Sequence, residues 1–328
     1  MPQKFDIVCI GESLRDIFYI INEATVSCSL NKDHCQLCLE YAEKIPVKEV
    51  VKVPAAGNSA NAAVSAARLG FKSALISWVG DDPEGQDIRK SLKADGVNTK
   101  LLCSCGGQET SEATLLSFQG ERTQLLYFKK RKYTLHDFPD AACYYYSAMG
   151  HGHEKFDQAL IKKLKAKANL FFVFQPGTTH IRSGLKKISP LIALSSLFIL
   201  NKDEAHILLG NGERTTVNLL DAFHKLGAKQ VIITDSKNGA DAFDGQKYWH
   251  MPIFPGKAIE STGAGDAFAI GVTCAWLNKK NPAEALRWGT ANAWSVVQQI
   301  GPQAGLLKKA DMPKVLKKFN RIQPQEIV

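Results

Sequence analysis

Long apolar segments, internal repeats and low-complexity tracts are missing from this chain of 328 residues. No run of about 18 or more apolar residues exists, so we expect no membrane span. The densest apolar stretch, residues 191–200, is too short and is typical of a buried helix end running into a strand. The chain also lacks the basic start and cleavage site of a signal peptide. We therefore expect a cytoplasmic protein without a membrane partner.

Nucleic-acid-binding motifs are also missing, although the formal net charge is +9. Charge alone permits nucleic-acid binding, but the basic residues are spread along the chain, and we expect no such partner. Two local clusters, residues 129–132 and 162–165, are most simply solvated surfaces. A basic balance also suits a protein that handles anionic ligands. The 45% hydrophobic content is ample for a large core.

Eight cysteines are scattered through the sequence, and free thiols are the expectation for a cytoplasmic protein. Cys9, Cys143 and Cys274 lie in apolar surroundings typical of core positions. A second group of cysteines is less easily explained by burial. Free thiols are favoured for this group as well, and a zinc site with His34 as a further ligand is the less favoured alternative. This group comprises Cys28, Cys35, Cys38, Cys103 and Cys105.

Short apolar runs alternate with helical patterns, as in a parallel sheet covered on both faces. The predicted strands are residues 5–10, 72–79, 170–174, 196–200, 230–234, 240–243 and 247–251. The predicted helices are residues 59–69, 83–95, 155–168, 202–208, 219–226, 265–277, 282–299 and 312–319. Residues 109–131 break this rhythm and predict a hairpin with strands 113–118 and 123–128.

The stretch ESTGAGDAF, residues 260–268, is the most informative part of the chain. Its glycines and alanine form a turn whose backbone N–H groups can bind an anion at a helix N-terminus. Asp266 ends this turn, where a carboxylate can accept the proton of a hydroxyl that attacks a phosphoryl group. A glycine-rich turn capped by an aspartate is the structural alternative.

Five short motifs together resemble the ribokinase-like, or PfkB-type, carbohydrate and nucleoside kinases. ESTGAGDAF is similar to the family's Asp-Thr-x-Gly-Ala-Gly-Asp, and AGNSANAA at 56–63 to its Gly-Gly-x-x-x-Asn. NKDE at 201–204 is similar to Asn-x-x-Glu. Gly11-Glu12 with Asp16, and the turn at 79–82, complete the set in the family order.

The resemblance implies a single ribokinase-like domain over residues 1–328, an α/β three-layer α/β/α sandwich with a small β-sheet lid. The lid would come from residues 14–55 and 109–131, with a cysteine-rich insertion at 22–41, and a homodimer could form through it. The implied activity is ATP-dependent phosphorylation, with Mg²⁺, of a hydroxymethyl group on a sugar, sugar acid or nucleoside. A ligand-binding or regulatory relative without turnover is the alternative.

The same resemblance assigns the reaction to the anion-binding turn. Asp266 would be the general base, and Gly263, Ala264 and Gly265 would donate backbone N–H groups to the transferring phosphoryl group. Asp16, Asn58 and Asn61 would hold the hydroxyls of the substrate, and Gly57 would let the backbone approach it. Helix N-caps are the alternative for the two asparagines.

On the nucleotide side, Asn201 and Glu204 resemble the residues that position magnesium through water, a role compatible with a helix capping box. A loop containing Thr234, Ser236 and Gly239 would face the phosphates, with Ser236 in place of a usual glycine. The adenine pocket would be walled by the region of Asn292.

Two further points bear on ligands. Glu260 stands where relatives have an aspartate that helps bind a monovalent cation, so a need for K⁺ is open. Arg131, in the basic run 129–132, is a candidate contact for an anionic substrate such as a phosphosugar or sugar acid. Strand alternation would then place Lys129 and Arg131 on one side. A solvated edge is the favoured alternative for this run.

Overall fold

The computed structural model describes residues 5–29, 35–135, 138–167, 170–210, 212 and 215–327. Its strands form one large, one small and one two-stranded sheet. In chain order the strands are β1 (Phe5–Ile10), β2 (Leu14–Ile21), β3 (Thr25–Cys28), β4 (Cys35–Cys38), β5 (Val47–Ala56), β6 (Ser73–Gly80), β7 (Leu102–Cys105), β8 (Glu112–Phe118), β9 (Glu121–Tyr127), β10 (Ala141–Tyr146), β11 (Phe171–Phe174), β12 (Leu197–Asn201), β13 (Val231–Thr234), β14 (Ala240–Phe243), β15 (Tyr248–Met251) and β16 (Gln325–Ile327).

The large sheet has ten strands in the order β16-β15-β14-β13-β12-β11-β10-β1-β6-β7. The seven neighbouring strands β13, β12, β11, β10, β1, β6 and β7 pair in parallel. At the other end of the sheet, β14, β15 and β16 add antiparallel pairings. The predicted parallel sheet is therefore mixed at one end. Antiparallel pairing is possible there because short turns, and not helices, connect β13, β14 and β15.

Helices cover both faces of this sheet. They are α1 (Asn58–Arg68), α2 (Pro83–Ala94), α3 (Glu154–Lys165), α4 (Thr178–Ser183), α5 (Leu185–Leu194), α6 (Lys202–Leu209), α7 (Thr216–Lys225), α8 (Ala264–Leu277), α9 (Pro282–Val296) and α10 (Met312–Lys318). Successive residues of β1 enter two separate hydrophobic cores: Ile7 and Cys9 belong to one, and Val8 and Ile10 to the other. Such alternation is what a sheet between two helical layers requires. The three-layer α/β/α sandwich is confirmed.

The central strand β10 was not among the predicted elements. Its sequence, AACYYY, is buried on both faces in the middle of the sheet, so it shows no alternation of polar and apolar residues. Its tyrosine hydroxyls reach specific acceptors: Tyr145 donates to Gln175 and Tyr146 donates to Asp157. These two tyrosines are therefore buried without leaving a hydroxyl group unsatisfied.

The small sheet has the order β5-β2-β8-β9 and consists of the two segments predicted to form a lid. Strand β2 pairs in parallel with β8, and the predicted hairpin is present as β8 and β9. Strand β9 is exposed along its whole length at one edge. The basic run 129–132 follows the end of β9, so strand alternation does not govern where its side chains point.

The cysteine-rich insertion forms the hairpin of β3 and β4, while residues 30–34, including His34, lie outside the described residues. The expectation of free thiols is wrong for Cys28 and Cys35, which form a disulfide because they face each other in this hairpin. Cys9, Cys143 and Cys274 are buried thiols, as predicted. Within the described residues, no cluster of three or more metal-binding side chains includes a cysteine.

The helices of the described part of the chain are all too short or too polar to cross a lipid bilayer.

Candidate active site

A cavity of about 500 Å³ opens between the small sheet and the edge of the large sheet where the parallel strands end. Gln175, Asn201 and Thr234 line it, at or just after the ends of β11, β12 and β13. The carboxyl ends of parallel strands are the usual place for ligands in such sheets. The predicted site residues that line the cavity are Asp16, Gly57, Asn58, Asn61, Asn201, Glu204, Thr234, Ser236, Gly263, Ala264, Gly265 and Asp266.

The anion-binding turn begins helix α8 at the base of the cavity. Gly263 has a left-handed φ of 79°, and a Cβ there would lie 2.6 Å from Pro302, so only glycine fits. The helix of 14 residues directs its N-terminus at the cavity. The Ala264 N–H donates to the Ser261 carbonyl at 3.2 Å, so an anion would have to share or replace that bond.

Asp266 is 6% exposed and lies in the first turn of α8. Two side-chain amides donate to its carboxylate: Asn58 Nδ2 to Oδ1 and Asn61 Nδ2 to Oδ2, each at 2.9 Å. Gln303 donates to Asn61 Oδ1 at 3.0 Å and thereby fixes which way the Asn61 amide faces. The two asparagines therefore orient the carboxylate, a function that their N-cap alternative does not include. The structure records no side-chain cap for α1.

Burial raises the pKa of Asp266 to about 6, and the amide donors and the nearby Arg122 guanidinium limit the rise. The group is therefore mainly ionised at neutral pH but holds its proton more tightly than an exposed aspartate. A general base works best when its pKa lies near the operating pH. Asp266 has this property and a fixed orientation.

Asp16 lies on β2 and faces the same cavity. Burial, together with the charges of Asp266 and Glu260, raises its pKa to about 8. Three carboxylates therefore interact electrostatically within one site. A ligand that brings hydroxyl donors, or a cation, would relieve this repulsion.

Asn201 and Glu204 form a reciprocal capping box at the start of α6. Asn201 Oδ1 accepts from the Glu204 N–H at 2.8 Å, and Glu204 Oε2 accepts from the Asn201 N–H at 3.0 Å. Burial, with the charges of Asp266 and Asp203, raises the pKa of Glu204 to about 7. The capping interpretation is confirmed, and the carboxylate also lines the cavity.

The loop after β13 brings Thr234 and Ser236 to the cavity but not Gly239. Ser236 has a left-handed φ of 46°, the conformation for which glycine is the usual residue. Gly239 has a φ of 89°, and a Cβ there would lie 2.2 Å from the Met251 carbonyl oxygen. Gly239 therefore allows close packing of the loop on β15, and it does not line the cavity.

Asn292 itself does not line the cavity described above. The side chain is fully buried in α9, where its amide donates to Ser65 Oγ at 2.9 Å and to the Ala267 carbonyl at 2.8 Å. Its Oδ1 accepts from the Leu307 N–H at 3.1 Å. The residue joins α1, α8 and the segment after α9 by a satisfied buried amide.

Arg131 lies outside the cavity and is buried, so neither the substrate contact nor the favoured solvated edge describes its position. The Arg131 side chain is 0% exposed and does not line the cavity. Its Nε lies 3.2 Å from Glu12 Oε1, and it donates further to Gln108 and to the Glu109 carbonyl. A buried arginine of this kind is held by its carboxylate partner and is not available to a ligand.

Sequence reasoning missed several residues that line the cavity, among them Gln175 and Arg122. Gln175, just after β11, accepts from the Tyr145 hydroxyl, and its hydrogen bond to Asp266 helps to hold down the pKa of that carboxyl. Arg122, on β9, lines the cavity and donates from Nη1 to Ser261 Oγ at 2.7 Å. The only sequence signal for Arg122 was its place just after the Gly120-Glu121 turn of the predicted hairpin.

Comparisons with known proteins agree with this fold. The family model described as pfkB family carbohydrate kinase matches residues 6–309, so the chain belongs to that family of kinases. A ribokinase of Haemophilus influenzae is 27% identical over 299 residues, which cover 86% of this chain and 94% of that protein.

Two solved structures show the same fold. Arabidopsis thaliana ribokinase, solved with ribose and ATP, has a TM-score of 0.78 at 21% identity, with 96% of this chain and 99% of that chain covered. A Methanocaldococcus jannaschii nucleoside kinase has a TM-score of 0.74 at 22% identity, with 97% and 99% covered. Sugar and nucleoside kinases therefore share this architecture.

Proposed function

We propose that this kinase transfers the terminal phosphoryl group of ATP to a hydroxymethyl group of a sugar or nucleoside, with Asp266 as general base. The observation that carries the proposal is the Asp266 carboxylate, held by two amide donors at the N-terminus of α8 in the main cavity. A carboxylate so placed can accept the hydroxyl proton beside donors for the phosphoryl charge. A non-catalytic binding protein would not need this arrangement.

The acceptor substrate is held by Asp16. Gly57 has no side chain, so the protein backbone at this position can approach the substrate closely. A Cβ at Gly57 would lie 2.7 Å from the Glu12 carbonyl oxygen, so this turn requires glycine. Asp16 is paired across the small sheet with Ala113, and Ala113 with Leu126, and all three line the cavity. Ala113 and Leu126 give this wall two apolar positions, while Gln124 and Arg122 of β9 line the cavity as well. An acidic group on the acceptor would be repelled by the carboxylates of Asp16 and Asp266, which favours a neutral acceptor over a phosphosugar or sugar acid.

The nucleotide side fits magnesium and phosphate. The charge of Asp266 helps to raise the pKa of Glu204 in the same cavity, and a divalent cation bound through water would relieve that repulsion. Thr234 and Ser236 offer hydroxyls at the edge of the same cavity. When bound, the Mg²⁺ ion would neutralise charge on the phosphates.

The small sheet would act as a lid over the acceptor and exclude water that could hydrolyse ATP. Its edge strand β9 exposes Leu125, Leu126 and Tyr127, each between 44% and 56% exposed. Such an edge is suited to pairing with another chain. We propose a homodimer formed through the two lids.

A coupled assay of ADP release tests the proposed function. Purified protein would receive MgATP with separate panels of neutral sugars, sugar acids, phosphosugars and nucleosides, and products would be checked by mass spectrometry. We expect acceptor-dependent ADP release with a neutral sugar or nucleoside. Absence of a phosphorylated product with every panel, from protein that binds ATP, would contradict the proposal.

A further inference from the structure

Glu260 lies beside the anion-binding turn and is 1% exposed. Its Oε1 accepts from the Thr262 N–H at 2.7 Å and from the Thr262 hydroxyl at 2.6 Å. Its Oε2 faces the Gly301 N–H at 3.4 Å. Within the described contacts, donors of hydrogen bonds therefore meet both carboxylate oxygens. A cation site would instead gather oxygen atoms.

A positive charge is already present next to this carboxylate. Arg122 Nε lies 3.9 Å from Glu260 Oε1, and Arg122 Nη1 donates to Ser261 Oγ at 2.7 Å. The small sheet brings Arg122 here because the tip of the β8–β9 hairpin rests on this segment. A Cβ at Gly120 would lie 3.5 Å from the Ile259 carbonyl oxygen, which is ordinary van der Waals contact.

The balance of charges in the cavity also makes Arg122 important for neutralising the carboxylates. Asp16, Glu204 and Asp266 line the cavity, and Glu260 adds to the negative potential at Asp16. Among the described residues that line the cavity, Arg122 is the one lysine or arginine. Its removal would leave Glu260 buried without a compensating charge, which is costly.

We propose that Arg122 takes at Glu260 the place of the monovalent cation that the family resemblance implies, so that this kinase needs no potassium. With Arg122 in place the residues present do not fit a potassium ion, because the guanidinium beside Glu260 already supplies the positive charge and repels a second cation. This inference rests on the proposed kinase function only where turnover is measured, since the effect of K⁺ on thermal unfolding can be measured without turnover.

The experiment compares wild type, Arg122→Gln and a matched control, Arg15→Gln. Arg15 also lies on the small sheet but pairs with Glu84 and Glu112 and does not line the cavity. Each protein is freed of K⁺ and Na⁺ by dialysis against tetramethylammonium chloride. Thermal unfolding without ligands and ADP release with the best acceptor are then measured as KCl replaces tetramethylammonium chloride at constant ionic strength.

We expect wild type and Arg15→Gln to change by less than about twofold in turnover and to unfold at the same temperature in both salts. Arg122→Gln should lose about tenfold or more in turnover without K⁺ and should regain activity and thermal stability as K⁺ is added. Activation of wild type by K⁺ above about fivefold, or its stabilisation by K⁺, would overturn the inference.

An Arg122→Gln protein that responds to K⁺ no more than Arg15→Gln does would overturn it equally. If no acceptor gives turnover, the proposed function is contradicted. The inference about potassium is then tested by the unfolding measurements alone.

Discussion

At the scale of single residues, the site depends on carboxylates whose protons are held unusually tightly. Burial raises the pKa of Asp266 to about 6. Burial together with the charges of neighbouring carboxylates raises the pKa of Asp16 to about 8 and that of Glu204 to about 7. The amides of Asn58 and Asn61 favour the ionised form of Asp266 in particular. The three groups therefore differ in protonation near neutral pH, as acid–base sites commonly do.

Asp16→Asn should weaken acceptor binding and yet stabilise the empty protein at alkaline pH. Above pH 8, where Asp16 is ionised, loss of a hydrogen bond to the charged group is worth ~1.5–3 kcal/mol, so acceptor affinity should fall about 10–100-fold there while ATP affinity holds. The folded pKa is raised from 3.8 to about 8. The folded state therefore binds this proton more tightly than the unfolded state, and wild type loses stability as pH rises between these values.

The asparagine does not titrate, so its advantage in unfolding temperature over wild type should grow from about pH 5 to pH 8. Calorimetric titration of both ligands and thermal unfolding at the two pH values measure these effects. Equal loss of affinity for ATP and acceptor would show that Asp16 supports the fold instead of the substrate.

At the scale of elements, the small sheet is joined to the large one through a buried polar cluster. Glu12 follows β1, and its carboxylate accepts from Ser111 Oγ at 2.9 Å, from Arg131 Nε at 3.2 Å and from the Tyr133 hydroxyl at 2.6 Å. Ser111 and Arg131 lie at the two ends of the β8–β9 hairpin. The cluster therefore fixes where that hairpin starts and finishes.

Arg131→Ala should destabilise the protein by about 3–5 kcal/mol, because it leaves the buried Glu12 carboxylate without its cation. Lys129→Ala, which removes surface contacts with the Glu109 carboxylate and the exposed Tyr127 ring, is the control and should change stability much less than Arg131→Ala does. Denaturant unfolding measures both. An Arg131→Ala protein as stable as the control, but with a raised KM for an anionic acceptor, would restore Arg131 to the substrate site.

These elements also show which parts of the fold and the site could be predicted from the sequence. The glycine turn before α8 and the capping box of Glu204 could be indicated by the sequence because glycine conformation and helix capping act within a few residues. Asn58 and Asn61 were assigned through the family resemblance as substrate contacts, and their bonds to Asp266, more than 200 residues away, are made only by the fold. Arg131 was misjudged because its partner, Glu12, is 119 residues away and only the fold brings them together. The β10 strand was missed because a strand buried on both faces carries no periodic signal. The long-range pairing of Arg122 with Glu260 likewise left no pattern in the chain.

At the scale of the whole molecule, the exposed β9 edge bears on assembly. Leu125 and Tyr127 are 56% and 55% exposed on a strand with an unpaired side. If two lids pair, Tyr127→Glu should convert the dimer to a monomer, since it places a charge in an apolar contact. Light scattering after size-exclusion chromatography measures the mass. A wild type that is monomeric at every concentration tested would contradict the proposed dimer.

The central claim is that Asp266 is the general base, and Asp266→Asn tests it most directly. An amide cannot accept the proton, so kcat should fall by about 10²–10⁴, while ATP affinity and unfolding temperature stay close to wild type. Single-turnover measurement of ADP release with the best acceptor, beside calorimetric titration of ATP, gives both quantities. Asp266→Ala serves as a second variant, because the asparagine turns an N–H toward Asn58 or Asn61. Turnover of both variants within a few-fold of wild type would contradict the assignment.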